Sequence, residues 1–477
     1  MTKIKLTFYF IILIAYISPR NIKGQTNTLY FMDGVHQSVY LNPAYQSSCN
    51  GFLGLPVLSD INLNAAHTGF SFQDLFKYGT GNKADSLVLD IDNVKNKIGN
   101  SNYLMADNTI PLLGLGFWIK NSYFTFGLSN KTKARVAYPG DLIKITDGNA
   151  NYIGEDNPVK IKDIGPDVTN YYELAFGLSK RLTHRLFIGG RLKLLSGLAN
   201  VESKKSNIRL YTEEKTYNLH LETEFDYNIS GPVDILMDSL NQFKDVAVDE
   251  SNIVSDVIPN KNFGLGIDLG ATYQFNDELK FYGSITDLGF IRWSSNPTNL
   301  KSNGSFDFTG LSLDSIASDS DYSEFNALAD SLKELIKFNE TNDKYSTFLN
   351  TNIYLGASYD LASFINFALL SRTSVYDRKL HQAFTLSANL KPVKWFNWTL
   401  SYSIANRSFN SVGMGMAIKG GPFQFYLLTD NLNAALWPKG AKTFGIQLGL
   451  NLAFGCGKRD DYSIINNKKL KKDIDFM

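Results

Sequence analysis

Glu173, Arg191, Lys193 and Asp268 are charged residues set into stretches that otherwise alternate apolar with small or uncharged residues. Two carboxylates beside a guanidinium and an ammonium could grip the polar head of a ligand or anchor an internal segment. Equally, they could form a structural ion-pair cluster that keeps a packed interior satisfied. A tight turn at Thr183-His184 makes the segments around 173 and 191 antiparallel neighbours. Lys193 then lies opposite Glu173 or one pair away. Asp287 breaks a pattern instead. Leu279, Phe281, Gly283 and Ile285 share one face, whereas after it Leu288, Phe290 and Arg292 do, so a bulge or kink is expected there. The two cysteines, Cys49 and Cys456, flank the first and last strand-like stretches.

Bond-making chemistry has little footing. The five histidines, His36, His67, His184, His220 and His381, show no metal-ligand spacing such as HExxH. No GxSxG turn presents a serine. The expectation is a protein that is not an enzyme and that uses no metal and no cofactor. The 47 basic residues nearly balance the 46 acidic ones, which speaks against a nucleic-acid partner.

The elements that must position these residues are strands. In FGIQLGLNLAF, Phe444, Ile446, Leu448, Leu450, Leu452 and Phe454 alternate with Gly445, Gln447, Gly449, Asn451 and Ala453. Successive side chains of a strand point to opposite faces, so one face is bulky and apolar and the other small and polar. The pattern recurs at 172–179, 186–194, 263–275, 353–360, 384–391 and 396–404. Repeated this often, it is the signature of an all-β, transmembrane antiparallel barrel with lipid outside and a packed or watery lumen inside. Connections are of two kinds. Tight ones fall at 120–122, 183–184, 276–277, 361–363, 392–394 and 420–422, and long ones at about 73–109, 137–168, 226–262 and 296–350. Placing every tight turn on the periplasmic side predicts about fourteen strands, or sixteen if 199–225 joins the wall instead of forming an outer hairpin. Helical spacing in 324–338 and, more weakly, in 87–98 predicts helices in the outer loops, serving as a lid or partner surface or packing on themselves.

The chain opens with lysines at 3 and 5 and an apolar run from Leu6 to Ile17, a secretory signal pattern with cleavage expected near Gly24–Gln25. The net charge is +1, and residues 1–24 hold Lys3, Lys5, Arg20 and Lys23 and no acid, which leaves −3 on the remainder. The expected division is a signal peptide at 1–24, a lumen plug at 25–56, the barrel at 57–455 and a polar periplasmic tail at 456–477. Closure makes the first and last strands neighbours, and an exported chain meets an oxidising compartment. A Cys49–Cys456 disulfide at the base of the plug is therefore expected.

Asn42-Pro43-Ala44, preceded by His36, resembles the NPA element in the N-terminal hatch of long-chain fatty-acid transporter barrels. That resemblance implies a segment that plugs the lumen and hydrophobic substrates that leave sideways through the wall. In those barrels a kinked wall strand makes the lateral opening. The alternative for Asp287 is a strand that has simply left the membrane. YPGDLIKITDGNANYIG (138–154), KLLSGLANVES (193–203), FYGSITDLGFIRW (281–293) and GPFQFYLLTDNLN (421–433) are similar to an uncharacterised family of Bacteroidota outer-membrane barrels. The last segment also looks like barrels associated with type IX secretion and gliding. The resemblance implies an outer-membrane barrel in contact with membrane lipid and leaves its function open, and the leading expectation is a plugged barrel that passes a small hydrophobic compound by diffusion. The alternative it leaves open is an assembly barrel that partners cell-envelope proteins.

Overall fold

Strands with two unlike faces can hide every backbone amide from lipid only by closing on themselves. The computed structural model describes residues 27–32, 34–80, 84–147, 151–237, 243–248, 261–308, 338–376, 379–405 and 408–456. Fourteen strands cross the wall. They are β1 (Gly51–Gly54 and Ile61–His67), β2 (Ser101–Ile119), β3 (Ser122–Pro139), β4 (Gly165–Arg181), β5 (Leu186–Thr212), β6 (Phe263–Gln274) and β7 (Leu279–Trp293). They continue with β8 (Tyr345–Phe348 and Thr351–Ala362), β9 (Ile365–Tyr376), β10 (Lys379–Val393), β11 (Phe396–Ala405), β12 (Ser408–Gly420), β13 (Phe423–Thr429) and β14 (Thr443–Phe454). Each pairs antiparallel with its neighbours, and β1 pairs with both β2 and β14, which closes the barrel.

Six tight turns lie at one end of the barrel, at 120–121, 182–185, 275–278, 363–364, 394–395 and 421–422. Two of them fall about two residues later than the sequence suggests, because the ladder continues through an irregular pair on each side, Ala362 with Ile365 and Val393 with Phe396. The wall also begins at Gly51 rather than at residue 57, since Gly51–Gly54 already pairs with β2 and β14. At the opposite end β5 runs on past the wall. Its far half pairs with Leu219–Ser230, which pairs in turn with Thr298–Phe308. This is a projecting sheet and not two further wall strands, so the count is fourteen. In the expected 87–98 helix only Ile91–Lys97 is helical, and Leu87–Leu89 pairs instead with Phe76–Tyr78. The expected helix at 324–338 apart from Phe338, the segment 1–24 and nearly all of the tail lie outside the described residues.

The outward faces are apolar and uncovered. On β6 Phe263, Leu265, Ile267, Leu269 and Tyr273 are exposed, while Gly264, Gly266 and Asp268 between them are buried. Leu369, Leu386, Leu400, Tyr402 and Phe425 continue this surface around the barrel. So much uncovered apolar area belongs against hydrocarbon. No described helix is long and apolar enough to cross a membrane. The buried apolar residues lie inside. Leu29, Met32 and Val35 pack on Ala417, Tyr426 and Leu428 of the wall, and Tyr30 packs on Tyr354 and Leu370.

Candidate functional site

The described residues of 27–50 lie inside the barrel, and of these only Asn50 is exposed. Two short 3-10 turns, Thr28–Phe31 and His36–Tyr40, lead into the Asn42-Pro43-Ala44 turn. Asn42 builds that turn locally. Its Oδ1 accepts from the Ala44 N–H at 3.0 Å, and its carbonyl accepts from the Tyr45 N–H at 2.9 Å. The wall then receives it. Ser284 Oγ donates to the Leu41 carbonyl at 2.7 Å, and Ser179 Oγ donates to the Ala44 carbonyl at 3.1 Å. Beneath the turn Gly189 of β5 and Gly270 of β6 face one another in register. A Cβ on Gly189 would lie 2.0 Å from the Pro43 carbonyl oxygen, and one on Gly270 would lie 2.3 Å from Asn42 Oδ1. The two glycines are a flat seat cut for this turn.

Both ends of the segment are tied down. At the long-loop end the Asp430 carboxylate accepts from the Asn27 and Thr28 amides at 2.9 and 3.0 Å, and Arg372 donates to Asn27 Oδ1 at 2.9 Å. Burial pushes the Asp430 carboxyl up to about 6. At the tight-turn end Cys49 and Cys456 are joined by a disulfide across 407 residues of chain. His36 sits near this end, apart from the charged residues. Its Nδ1 meets Ser47 Oγ at 3.0 Å, its ring stacks on Phe52 at 4.5 Å, and Nε2 is buried without a partner. Burial, aided by the charge of Lys419, pulls its pKa down to about 3, so it is held neutral.

Glu173, Arg191, Lys193 and Asp268 converge on the lumen face. Arg191 Nη1 and Lys193 Nζ reach the two oxygens of Asp268 at 3.1 and 2.6 Å, and Lys193 lies 3.5 Å from Glu173. Lys193 pairs in register with Ala175, so it approaches Glu173 one pair away. Asp287 joins the cluster because of its backbone. It has φ +58°, and the β6–β7 register shifts between Ile267 and Leu269. The irregularity turns the carboxylate inward to Lys193 at 2.7 Å, and Asp268 accepts from the Asp287 N–H at 2.7 Å. The ladder resumes on both sides, from Ile285 down and from Leu288 up. The wall is thus continuous here, and the strand does not end at Asp287.

Sequence reasoning missed several members of this site. Lys131 reaches Glu173 at 2.6 Å and Lys133 reaches Asp287 at 3.7 Å. Their spacing, two apart on β3, would have revealed them by parity. The Arg191 guanidinium lies 4.8 Å from the ring centre of Tyr40, which no periodicity signals because Tyr40 is not on a strand. Between plug and wall a cavity of about 150 Å³ remains. Leu29, Tyr40 and Leu41 line it from the plug, and Asp60, Asp107, Lys131, Lys133, Glu173 and Asp287 are among the wall residues that line it. Among the described residues no group of histidines, cysteines and carboxylates has the arrangement of a metal site.

Among solved structures the chain is similar to the toluene transporter TbuX of Ralstonia pickettii, at 8% identity over 88% of this chain and 94% of that one, with a TM-score of 0.43. It is similar to the toluene transporter TodX of Pseudomonas putida, at 8% identity over 90% and 95%, with a TM-score of 0.39. It is also similar to a FadL homologue of Pseudomonas aeruginosa, at 9% identity over 92% and 99%, with a TM-score of 0.34. No curated protein matches. The profile of a family of unknown function, DUF5723, matches residues 43–430, from the turn seated on Gly189 and Gly270 to the carboxylate that holds Asn27, and the chain belongs to that family.

Proposed function

We propose that this protein is an outer-membrane channel through which a small compound diffuses, with residues 27–50 as the gate in its lumen. The observation that carries this reading is the cavity left between the plug and a charged wall. A purely structural barrel has no need of buried charges facing unfilled space, because charges are costly away from water. The likeness of the Asn42-Pro43-Ala44 turn to fatty-acid transporter hatches favours a substrate with an apolar part. The charged residues that line the cavity favour a compound that also carries polar groups.

A second reading has its own observation. At the long-loop end the strands Phe76–Tyr78 and Leu87–Leu89 pair so that Phe76, Tyr78, Leu87 and Leu89 share a face, beside Phe72. Tyr78, Leu87, Leu89 and Phe72 are exposed. An uncovered apolar face over a plugged lumen also suits a barrel that docks a cell-envelope protein.

Solute uptake by vesicles carrying the purified protein separates the two. The channel reading expects uptake of small amphipathic solutes above that of protein-free vesicles, and faster, unselective uptake when residues 27–48 are deleted. An intact protein that passes nothing, beside a deletion variant that leaks freely, overturns it. The plug is then permanent and the docking reading takes its place.

A further inference from the structure

The ion-pair cluster uses up the lumen carboxylates of one side only. Across the cavity Asp107 on β2 sits in register between Asn64 of β1 and Lys133 of β3. Lys133 is its cross-strand partner and the obvious counter-ion, yet it leans toward Asp287 at 3.7 Å, and among the described residues Asp107 forms no ion pair. Two amide oxygens that line the same cavity also lack donors among the described residues. Asn64 Nδ2 donates to Asn62 Oδ1 at 2.8 Å, and Gln447 Nε2 donates to Asp60. The remaining oxygens, Asn64 Oδ1 and Gln447 Oε1, are buried with nothing donating to them. Asn64 is 9% exposed and Gln447 3%. All of these residues line the cavity.

A buried acceptor with no donor is destabilising, so a wall that keeps two of them lining one cavity with an unpaired carboxylate is built for an incoming donor. An ammonium group supplies several N–H donors and a positive charge in one small volume. Lys133 next to Asp107 offers the complementary cation, because Asp287 is already held by Lys193 at 2.7 Å. The two opposite charges stand on neighbouring strands as a cross-strand pair that does not close on itself, so the two ends of one small zwitterion can meet both. A cavity of about 150 Å³ is small beside the ~300–1,000 Å³ of drug-sized pockets.

We infer that the lumen cavity is a binding site for a small zwitterion of the α-amino-acid type, its ammonium on Asp107, Asn64 and Gln447 and its carboxylate on Lys133. The inference deepens the channel reading and rests on it, since the channel is what brings such a solute to the site.

The test is titration calorimetry of the full-length protein in detergent with alanine, against ethylamine and propionate, each of which keeps one of its two charged groups. Alanine binds tightest and propionate weakest. Asp107→Asn weakens alanine by about tenfold or more, and Lys133→Met weakens alanine while leaving ethylamine as it was. Heat-modifiable gel mobility establishes that each variant is folded. No binding of alanine, alanine no tighter than either half, or an Asp107→Asn protein that binds alanine like the parent overturns the site. Binding is read without flux. A protein that binds alanine but passes no solute therefore overturns the channel and leaves the site standing, and one that passes solutes without binding alanine does the reverse.

Discussion

His36 shows how one buried side chain ties the plug to pH. An unfolded histidine takes up a proton below about pH 6.5, whereas His36 in place does so only near pH 3. Between those values the unfolded chain binds more protons than the folded one, so plug stability falls as pH falls. The slope approaches about 1.4 kcal/mol per pH unit. Asp430 acts in the opposite sense. Its carboxyl titrates near 6 in place, above its ordinary value of 3.8, so its contribution falls as pH rises through that window. The histidine part is isolated by His36→Phe, which keeps a ring against Phe52. We expect hydrogen-exchange protection factors across 27–48 to drop between pH 7 and 4.5 in the parent protein. In His36→Phe the drop should be much smaller. An equal drop in both would remove His36 from the account.

At the scale of an element, the seat for the Asn42-Pro43-Ala44 turn depends on two strands presenting glycine at the same level. A side chain at either position would meet the turn at less than 3 Å, and at Gly189 it would meet backbone, which cannot rotate away. Gly189→Ala should therefore lift the turn and open residues 27–48 to protease, at a cost of roughly 1–3 kcal/mol, the usual range for overpacking. Gly283, on the outward face of β7, has only Leu355 Cδ2 near its missing Cβ, at 3.7 Å, so Gly283→Ala is the matched control and should change nothing. Equal protease sensitivity of the two variants would mean that the seat is not what holds the turn. The irregularity at Asp287 works in the same way, because a backbone feature of one strand pair decides which side chain enters the lumen cluster.

For the whole molecule, the disulfide joins the end of the plug to the strand that closes the barrel. A cross-link over so long a loop stabilises chiefly by restricting the unfolded chain, by ~2–4 kcal/mol in typical cases. Cys49→Ser should leave the barrel closed, since β1 still pairs with β2 and β14, but should lower its unfolding temperature. The plug should also become easier to digest from the tight-turn end. Unboiled gel mobility with and without reductant checks this, and an unchanged unfolding temperature would assign the cross-link no part in stability. The filled lumen and the apolar outer face belong to the same scale. A barrel of fourteen strands encloses more space than its own inward side chains fill, and residues 27–50 supply the missing core.

Much of this protein was legible in its sequence, because a strand writes its two faces into alternate residues. Period two identifies which side chains face lipid, and the split between tight and long connections orders the strands. The break in parity at Asp287 marks the irregular pair. Parity also places Glu173, Arg191, Lys193 and Asp268 on one face, and would have added Lys131, Lys133 and Asp107. What it leaves open is who meets whom. Register along β4 and β5 puts Lys193 opposite Ala175, and closure brings residue 27 to residue 430 and residue 49 to residue 456. The seat made by Gly189 and Gly270 and the unpaired state of Asp107 arise the same way. They depend on the stagger of the strands and the curvature of a closed wall, and those are settled by all fourteen strands together. Local sequence determines the face a residue takes, and only the tertiary structure decides its partner.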